Sequence, residues 1–194
     1  MNKMNLPNKL TVLRIIATPV FMLFMLLGFK GHYIIALALF IAASLTDMFD
    51  GRYARSHNMV TDFGKFLDPL ADKMLTTAAL LGFAVNGIGT GTVWIVFIVL
   101  FREFLIASLR LVAVSSDGKV IAANKWGKFK TVSQMTAIIF ALAAEIVLEF
   151  VHSIPLEVVL QAVTDLLLWI SALLTLISGI IYLADNKDFV DPNK

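Results

Sequence analysis

The segment DMFDGRYARSHNMVTDFGKFLDPLAD, which runs from Asp47 to Asp72, decides how this chain folds and what chemistry it can perform. It holds five aspartates between long apolar stretches. Asp47 and Asp50 are three residues apart, and Asp68 and Asp72 are four apart. Because residues at these spacings share one face of an α-helix, the segment predicts two helices, each with a pair of carboxylates on one face.

The composition of the whole chain is that of an integral membrane protein. Of its 194 residues, 59% are hydrophobic and 15% are charged, and the mean hydropathy of +0.85 is far from that of a soluble domain. The formal net charge of +2 is too small to indicate a nucleic-acid partner. With no cysteine in the chain, disulfides and thiolate chemistry are excluded.

Six apolar segments approach the length of about 20 residues that a helix needs to cross a membrane. We therefore predict an all-α integral membrane protein with six transmembrane helices, folded as a single domain over residues 1–194. No small-residue cleavage site follows the first segment, so we expect it to be a retained span rather than a signal peptide. The segments are Leu10–Gly28, Tyr33–Asp50, Pro69–Val85, Thr92–Val114, Val132–Val151 and Val158–Leu183.

The basic residues predict the orientation of these spans. Of the 16 Lys and Arg residues, all but Lys30 fall in alternate connections or near them, with Arg102 lying deeper in its helix. Because Lys and Arg accumulate on the cytoplasmic side of membranes, we expect both termini and the Asp-rich segment to face the cytoplasm. Any chemistry of the Asp-rich segment is then on the cytoplasmic side.

The four paired aspartates favour a metal site. Four ionised carboxylates near the hydrocarbon would cost on the order of 10 kcal/mol, so a cation is expected among them. Oxygen ligands without His or Cys suit Mg²⁺, Mn²⁺ or Ca²⁺, and carboxylates shared by two ions are the usual platform for phosphoryl chemistry. The alternative, solvated loop acids paired with nearby bases, is disfavoured by the matched spacing, although it suits Asp62.

The residues around the aspartates indicate a phosphate-bearing ligand. Gly51 and Ala54 leave space for a group to approach the helix backbone, and Arg55 can hold a phosphate in a bidentate fork. Gly64 and Pro69 are expected to bracket the start of the third helix, where a proline is tolerated because its missing N–H would be unpaired anyway.

The sequences DMFDGRYAR and GKFLDPLAD resemble the signature of the CDP-alcohol phosphatidyltransferases, D-x2-D-G-x2-A-R-x8-G-x3-D-x3-D, at every fixed position. That family has six transmembrane helices, an active site at the cytoplasmic face, and transfers a phosphatidyl group from CDP-diacylglycerol to an alcohol. The resemblance implies that four aspartates hold two divalent cations, Mg²⁺ or Mn²⁺, and that Asp72 is also the general base. The four are Asp47, Asp50, Asp68 and Asp72.

The same resemblance implies a binding site for the CDP-diacylglycerol donor. Its residues within the signature region are Gly51, Ala54, Arg55, Thr61 and Gly64, of which Thr61 contacts the phosphates. The N-terminal NLPNKLTVLR is similar to the opening of the family's phosphatidylglycerophosphate-forming branch and places Thr11 and Arg14 near the donor.

Four cations outside the signature predict an acceptor that carries its own phosphate. Arg102 and Arg110 fall within roughly an 80° sector of one helix, and Arg102 lies well inside the span, where it needs either Glu103 or an anionic ligand as its partner. Lys128 and Lys130 add two cations before the fifth helix. The stretches FREFLIASLR and GKFKT are also similar to those of the branch whose acceptor is sn-glycerol 3-phosphate.

The reaction that the resemblance implies is a direct displacement. Asp72 deprotonates the glycerol 3-phosphate hydroxyl, whose oxygen attacks the phosphorus bearing the diacylglycerol, and CMP leaves, giving phosphatidylglycerophosphate. We expect the lipid tails to lie in a lateral groove among the helices. We also expect a homodimer in a bacterial cytoplasmic membrane.

Other interpretations stay open. Within the family, the acceptor could instead be phosphatidylglycerol, as in a cardiolipin synthase, or serine or inositol phosphate. Two other classes are disfavoured. Membrane prenyltransferases carry two separate Asp-rich motifs, whereas this chain has one. A cation transporter would place acids at the midplane of repeated halves, whereas the acids here are expected at the cytoplasmic end and no repeat is visible. Glu145 and Asp165 are expected in the outer halves of the last two helices, and the sequence assigns them no role.

Overall fold

The computed structural model describes residues 5–56, 62–117 and 125–187, with the backbone alone at 47–56, 62, 65, 66, 68, 69, 72, 114–117 and 125. Over these ranges the chain forms six helices, and each predicted apolar segment lies on one of them to within two residues, so the all-α prediction is confirmed. The helices are α1 (Leu6–Leu26), α2 (His32–Ser56), α3 (Asp62–Asn86), α4 (Thr92–Asp117), α5 (Lys125–Phe150) and α6 (Ile154–Asp185).

Local signals in the sequence explain where several helices begin and end. The side chain of Asn5 caps α1 by accepting a hydrogen bond of 3.1 Å from the backbone N–H of Asn8. The connection between α3 and α4 contains Gly87, Gly89 and Gly91, all at positive φ, which glycine adopts without steric cost. Such short connections make consecutive helices antiparallel neighbours.

The start of α3 corrects one expectation. The helix begins at Asp62, so Gly64 lies in its first turn, but Pro69 lies seven residues inside the helix rather than at its start. The predicted apolar segment covers only the apolar part of the helix, and the helix extends beyond that segment through charged residues. For the same reason α2 extends to Ser56 and α5 begins at Lys125.

The six helices form a closed ring. Helix α1 packs against α2 and α3, α2 packs against α5, α5 against α6, α6 against α4, and α4 against α3. The order around the bundle is therefore α1, α2, α5, α6, α4, α3, and a smaller contact between α3 and α5 crosses its middle. The aromatic side chains Phe21, Phe40 and Phe83 lie fully buried in the shared core.

Helix α6 shows how the bundle suits a membrane. Its buried face carries Ser171, Thr175 and Ser178, whose hydroxyls donate at 2.7–2.9 Å to backbone carbonyls three or four residues earlier. Its outer face carries large apolar residues such as Ile180, which is 65% exposed. Small and hydroxyl-bearing residues let helices approach closely, and apolar residues on the outside suit lipid.

Three helices in the described ranges are long and apolar enough to cross a membrane: α1, residues Trp126–Phe150 of α5, and α6. Helix α2 adds a shorter apolar stretch over His32–Thr46. Charged residues such as Lys73 in α3 and Arg102 in α4 interrupt the remaining two helices. The protein is thus a helical membrane protein, and the full set of six spans stays a prediction.

Candidate active site

A cavity of about 570 Å³ lies between α3, α4, α5 and α6, at the end of the bundle where α2 ends and α3 begins. The four residues expected to bind the acceptor phosphate all line it: Arg102 and Arg110 from α4, and Lys128 and Lys130 from α5. Lys73 of α3 adds a fifth basic side chain. With Glu103 as the one carboxylate among its described lining residues, the cavity carries a net charge of +4.

Glu103 holds three of these cations together. Its Oε1 accepts from Lys130 Nζ at 2.6 Å and from Arg102 Nη1 at 3.1 Å, and its Oε2 lies 3.0 Å from Lys73 Nζ. Arg102, Lys130 and Glu103 are largely buried, with side chains only 9–14% exposed. Glu103 is therefore a partner of Arg102, but it is shared among three cations and cannot neutralise all of them.

Tyr182 of α6 holds the side chain of Arg110 in position. Its Nε donates to the hydroxyl of Tyr182 at 3.1 Å, and its guanidinium carbon lies 5.6 Å from the centroid of the Tyr182 ring. Tyr182 is only 2% exposed, so its ring has little freedom to move. A buried ring that both accepts a hydrogen bond and offers a cation–π contact orients the arginine toward the cavity it lines.

Two buried donors of the cavity lining have no hydrogen-bond partner in the described structure. They are Nε of Arg102 and Nε2 of Gln134. A buried donor without a partner costs about 1–3 kcal/mol, so each is a place where a ligand atom can bind. The sequence singled out Arg102 by its depth in the span but not Gln134, which carries no charge.

Close packing by α6 supports the stem of Arg102. Gly179 faces it, and a Cβ atom built on that glycine would lie 3.0 Å from Arg102 Cγ. Any larger residue would push the arginine stem. The sequence pointed to neither Gly179 nor Tyr182, because both are distant from Arg102 and Arg110 along the chain.

An apolar groove of about 690 Å³ opens beside the cationic cavity, lined by α1, α3 and α4. Its walls include Ile15, Met22 and Leu100. The groove and the cavity share lining residues at Lys73, Thr77 and Glu103, so the two spaces meet there. A ligand with an apolar part and an anionic part can occupy both at once.

Thr11 and Arg14, expected near the donor, are buried on α1, at 1% and 2% exposure. Arg14 Nε donates to the backbone carbonyl of Ala43 in α2 at 3.2 Å. Ala43 lies four residues before Asp47, so this arginine contacts α2 one turn away from the Asp-rich segment. Thr11 Oγ1 donates to the carbonyl of Pro7 at 3.2 Å.

The signature residues themselves can be placed only by helix. Asp47, Asp50, Gly51, Ala54 and Arg55 lie in α2 and Asp68 and Asp72 in α3, with their side chains outside the described part, and Thr61 lies outside the described residues altogether. Gly64 is buried. Among the described side chains no group of three or more His, Asp or Glu residues could hold a metal ion, and the four aspartates are not among them.

At the opposite end of the bundle, polar side chains stabilise the turn between α3 and α4. Asp165 Oδ1 accepts from the backbone N–H of Thr90 at 2.7 Å, and Trp169 Nε1 donates to the carbonyl of Thr90 at 3.0 Å. Asp165, which the sequence left without a role, thus stabilises the connection between α3 and α4. Glu145 lines a small cavity of about 170 Å³ beside it.

A helical membrane protein with a cationic cavity beside an apolar groove is of a class that can hold a phosphate-bearing compound next to a lipid. The chain belongs to the CDP-alcohol phosphatidyltransferase family, whose family model matches residues 4–177. The resemblance read from the signature is therefore confirmed.

Two relatives cover nearly the whole chain. The CDP-diacylglycerol–glycerol-3-phosphate 3-phosphatidyltransferase of Bacillus subtilis (strain 168) is 42% identical over 194 residues, covering 94% of this chain and 95% of the relative. The protein of the same name from Rickettsia bellii (strain RML369-C) is 37% identical over 193 residues, covering 95% of this chain and 97% of the relative.

Proposed function

We propose that this chain transfers the phosphatidyl group of CDP-diacylglycerol to sn-glycerol 3-phosphate, producing phosphatidylglycerophosphate and CMP. The observation that carries the proposal is the cationic cavity, whose described lining residues include five basic side chains and one carboxylate next to an apolar groove. The family and the names of the relatives agree with it.

The cavity suits the acceptor by charge and by size. A phosphate monoester carries a charge of about −2 near pH 7, and it would offset part of the excess positive charge that Glu103 leaves on Lys73, Arg102 and Lys130. The volume of about 570 Å³ is within the range of small-molecule sites. Serine is a zwitterion with no net charge, so it would offset none of this excess.

The groove suits the donor. Its apolar lining from α1, α3 and α4 can take the acyl chains of CDP-diacylglycerol. The diphosphate then lies near Lys73, where the groove meets the cavity and where α3 also carries Asp68 and Asp72 within two turns of Lys73. The donor-binding roles of Thr11, Arg14, Gly51, Ala54, Arg55, Thr61 and Gly64 belong to this proposal.

The aspartates have the donor chemistry that Mg²⁺ or Mn²⁺ prefers, since carboxylates are hard oxygen ligands and α2 and α3 each supply two. We assign two divalent cations to Asp47, Asp50, Asp68 and Asp72. When bound, such ions neutralise a diphosphate and make its phosphorus a better electrophile.

Asp72 has the role of general base. It takes the proton from the glycerol 3-phosphate hydroxyl, and the oxygen forms a bond to the phosphorus that bears the diacylglycerol. The bond between that phosphorus and the oxygen of CMP breaks, and CMP leaves with the bonding electrons. Arg102, Arg110, Lys128 and Lys130 hold the acceptor phosphate so that the hydroxyl faces the donor.

The reaction joins a membrane lipid to a water-soluble acceptor, which requires a site at the membrane surface. We place both termini and this site on the cytoplasmic face of a bacterial cell membrane, with six spans. The excess of Lys and Arg in alternate connections supports that orientation. A homodimer is part of the proposal on the family resemblance alone.

The test is a CMP-release assay on the purified protein with CDP-diacylglycerol and Mg²⁺ or Mn²⁺. The acceptors are glycerol 3-phosphate, phosphatidylglycerol, serine and inositol phosphate, each supplied alone. We expect release with glycerol 3-phosphate and little with the others. Release that required one of the other acceptors would overturn the assignment.

A further inference from the structure

Gln134 is a buried polar side chain that the proposed chemistry does not use. It lies on α5, four residues after Lys130, lines the cationic cavity and is only 2% exposed. Its Nε2 has no hydrogen-bond partner in the described structure. A buried amide donor without a partner costs free energy, and a ligand atom that accepts a hydrogen bond from it removes that cost.

The chemistry of the lining separates two kinds of ligand atom. Guanidinium and ammonium groups match the charged oxygens of a phosphate, and the cavity supplies five of them. A neutral amide matches a neutral hydroxyl, because it can donate to the hydroxyl oxygen without needing a charge. Since Lys130 and Gln134 lie four residues apart on one helix, a ligand held at Lys130 by its phosphate reaches Gln134 with an atom about 6 Å further along the helix.

We infer that Gln134 donates a hydrogen bond to the C2 hydroxyl of glycerol 3-phosphate and selects an acceptor that carries a hydroxyl beside the attacking one. This inference rests on the proposed function. Glycerol 3-phosphate has one hydroxyl that attacks and one that does not, and the second is the group that a buried neutral donor can recognise. Sites that hydrogen-bond a substrate hydroxyl reject analogues that lack it, because their own donor is then left unpaired.

The experiment compares two acceptors in the full-length protein. One is glycerol 3-phosphate, and the other is 3-hydroxypropyl phosphate, which keeps the phosphate and the attacking hydroxyl but lacks the C2 hydroxyl. For the unchanged protein we expect kcat/KM to be at least about tenfold higher with glycerol 3-phosphate. In Gln134→Met, which keeps the length of the side chain and removes its donor, the preference should fall below about threefold.

Gln134→Leu serves as a second variant in case the methionine variant folds poorly. Thr136→Val is the matched control: Thr136 lies on the same helix, its hydroxyl donates to the Val132 carbonyl at 2.9 Å, and it is exposed outside the cavity. The control should keep the full preference. The KM for CDP-diacylglycerol should stay within about twofold in all variants.

An equal loss with both acceptors would mean that Gln134 only supports the packing of α5, and it would overturn the inference. An unchanged preference would overturn it too. If the unchanged protein released no CMP with glycerol 3-phosphate, the proposed function itself would fail, and that result is distinct from either outcome for the variants.

Discussion

Glu103→Gln removes the negative charge that Glu103 presents to Lys73, Arg102 and Lys130, and it keeps the shape of the side chain. The variant leaves two nearly buried cations, Arg102 and Lys130, without their carboxylate. Removing one partner of a buried ion pair costs about 3–5 kcal/mol. Lys73 is 42% exposed, so solvent screens its pair and it adds little.

We expect the loss to be nearer 2–3 kcal/mol, because a glutamine oxygen still accepts one hydrogen bond. For a chain of this length, about 2–4 °C of melting temperature corresponds to 1 kcal/mol, so the variant should melt about 5–10 °C lower. Glycerol 3-phosphate should raise the melting temperature of the variant more than that of the unchanged protein, because its phosphate replaces the missing negative charge.

The measurement is thermal unfolding of the detergent-solubilised protein, followed by tryptophan fluorescence with and without glycerol 3-phosphate. Glu157→Gln is the control, since Glu157 is exposed and its contact is a 3.3 Å hydrogen bond from Gln161. That variant should melt within about 2 °C of the unchanged protein. Our account of Glu103 would be wrong if Glu103→Gln had the same melting temperature as the control variant. It would also be wrong if glycerol 3-phosphate raised the melting temperature of Glu103→Gln no more than that of the unchanged protein.

Three further predictions concern the steady-state kinetics of variants. Gly179→Ala should move the stem of Arg102, because the new Cβ would lie 3.0 Å from its Cγ; we expect the KM for glycerol 3-phosphate to rise several-fold while the melting temperature holds or rises, since alanine favours a helix by about 1 kcal/mol over glycine. A higher KM for CDP-diacylglycerol alone would contradict this. Arg110→Ala should raise the acceptor KM about tenfold or more and leave the donor KM nearly unchanged in steady-state kinetics, and the reverse pattern would refute the acceptor assignment. Asp72→Asn should reduce turnover by at least about 10²-fold without lowering the melting temperature, and substantial remaining activity would exclude Asp72 as the base.

The sequence alone was sufficient for the properties that depend on local pattern. Composition predicted a helical membrane protein, and apolar length predicted six helices, because a helix in lipid satisfies its own backbone hydrogen bonds and needs no distant partner. The Asp-rich signature predicted the family. The spacing of Arg102 and Arg110 also predicted that they share one face of a helix, and both line one cavity, since helical periodicity is a property of neighbouring residues.

Helix boundaries were less well predicted. Pro69 was expected at the start of α3 and lies inside it. Hydropathy marks where a helix leaves apolar surroundings, whereas the helix itself continues as long as its backbone hydrogen bonds do.

What only the tertiary structure decided is which distant side chains meet. Glu103 joins Lys73 of α3 to Lys130 of α5, and Tyr182 contacts Arg110 across 72 positions of sequence. Such contacts depend on the order of helices around the ring and on the rotation of each about its axis, which local periodicity does not specify. Gln134 is the clearest case: an uncharged residue gives no signal in the sequence, and only burial beside a cationic cavity, with an unpaired donor, makes it a candidate for recognising the acceptor.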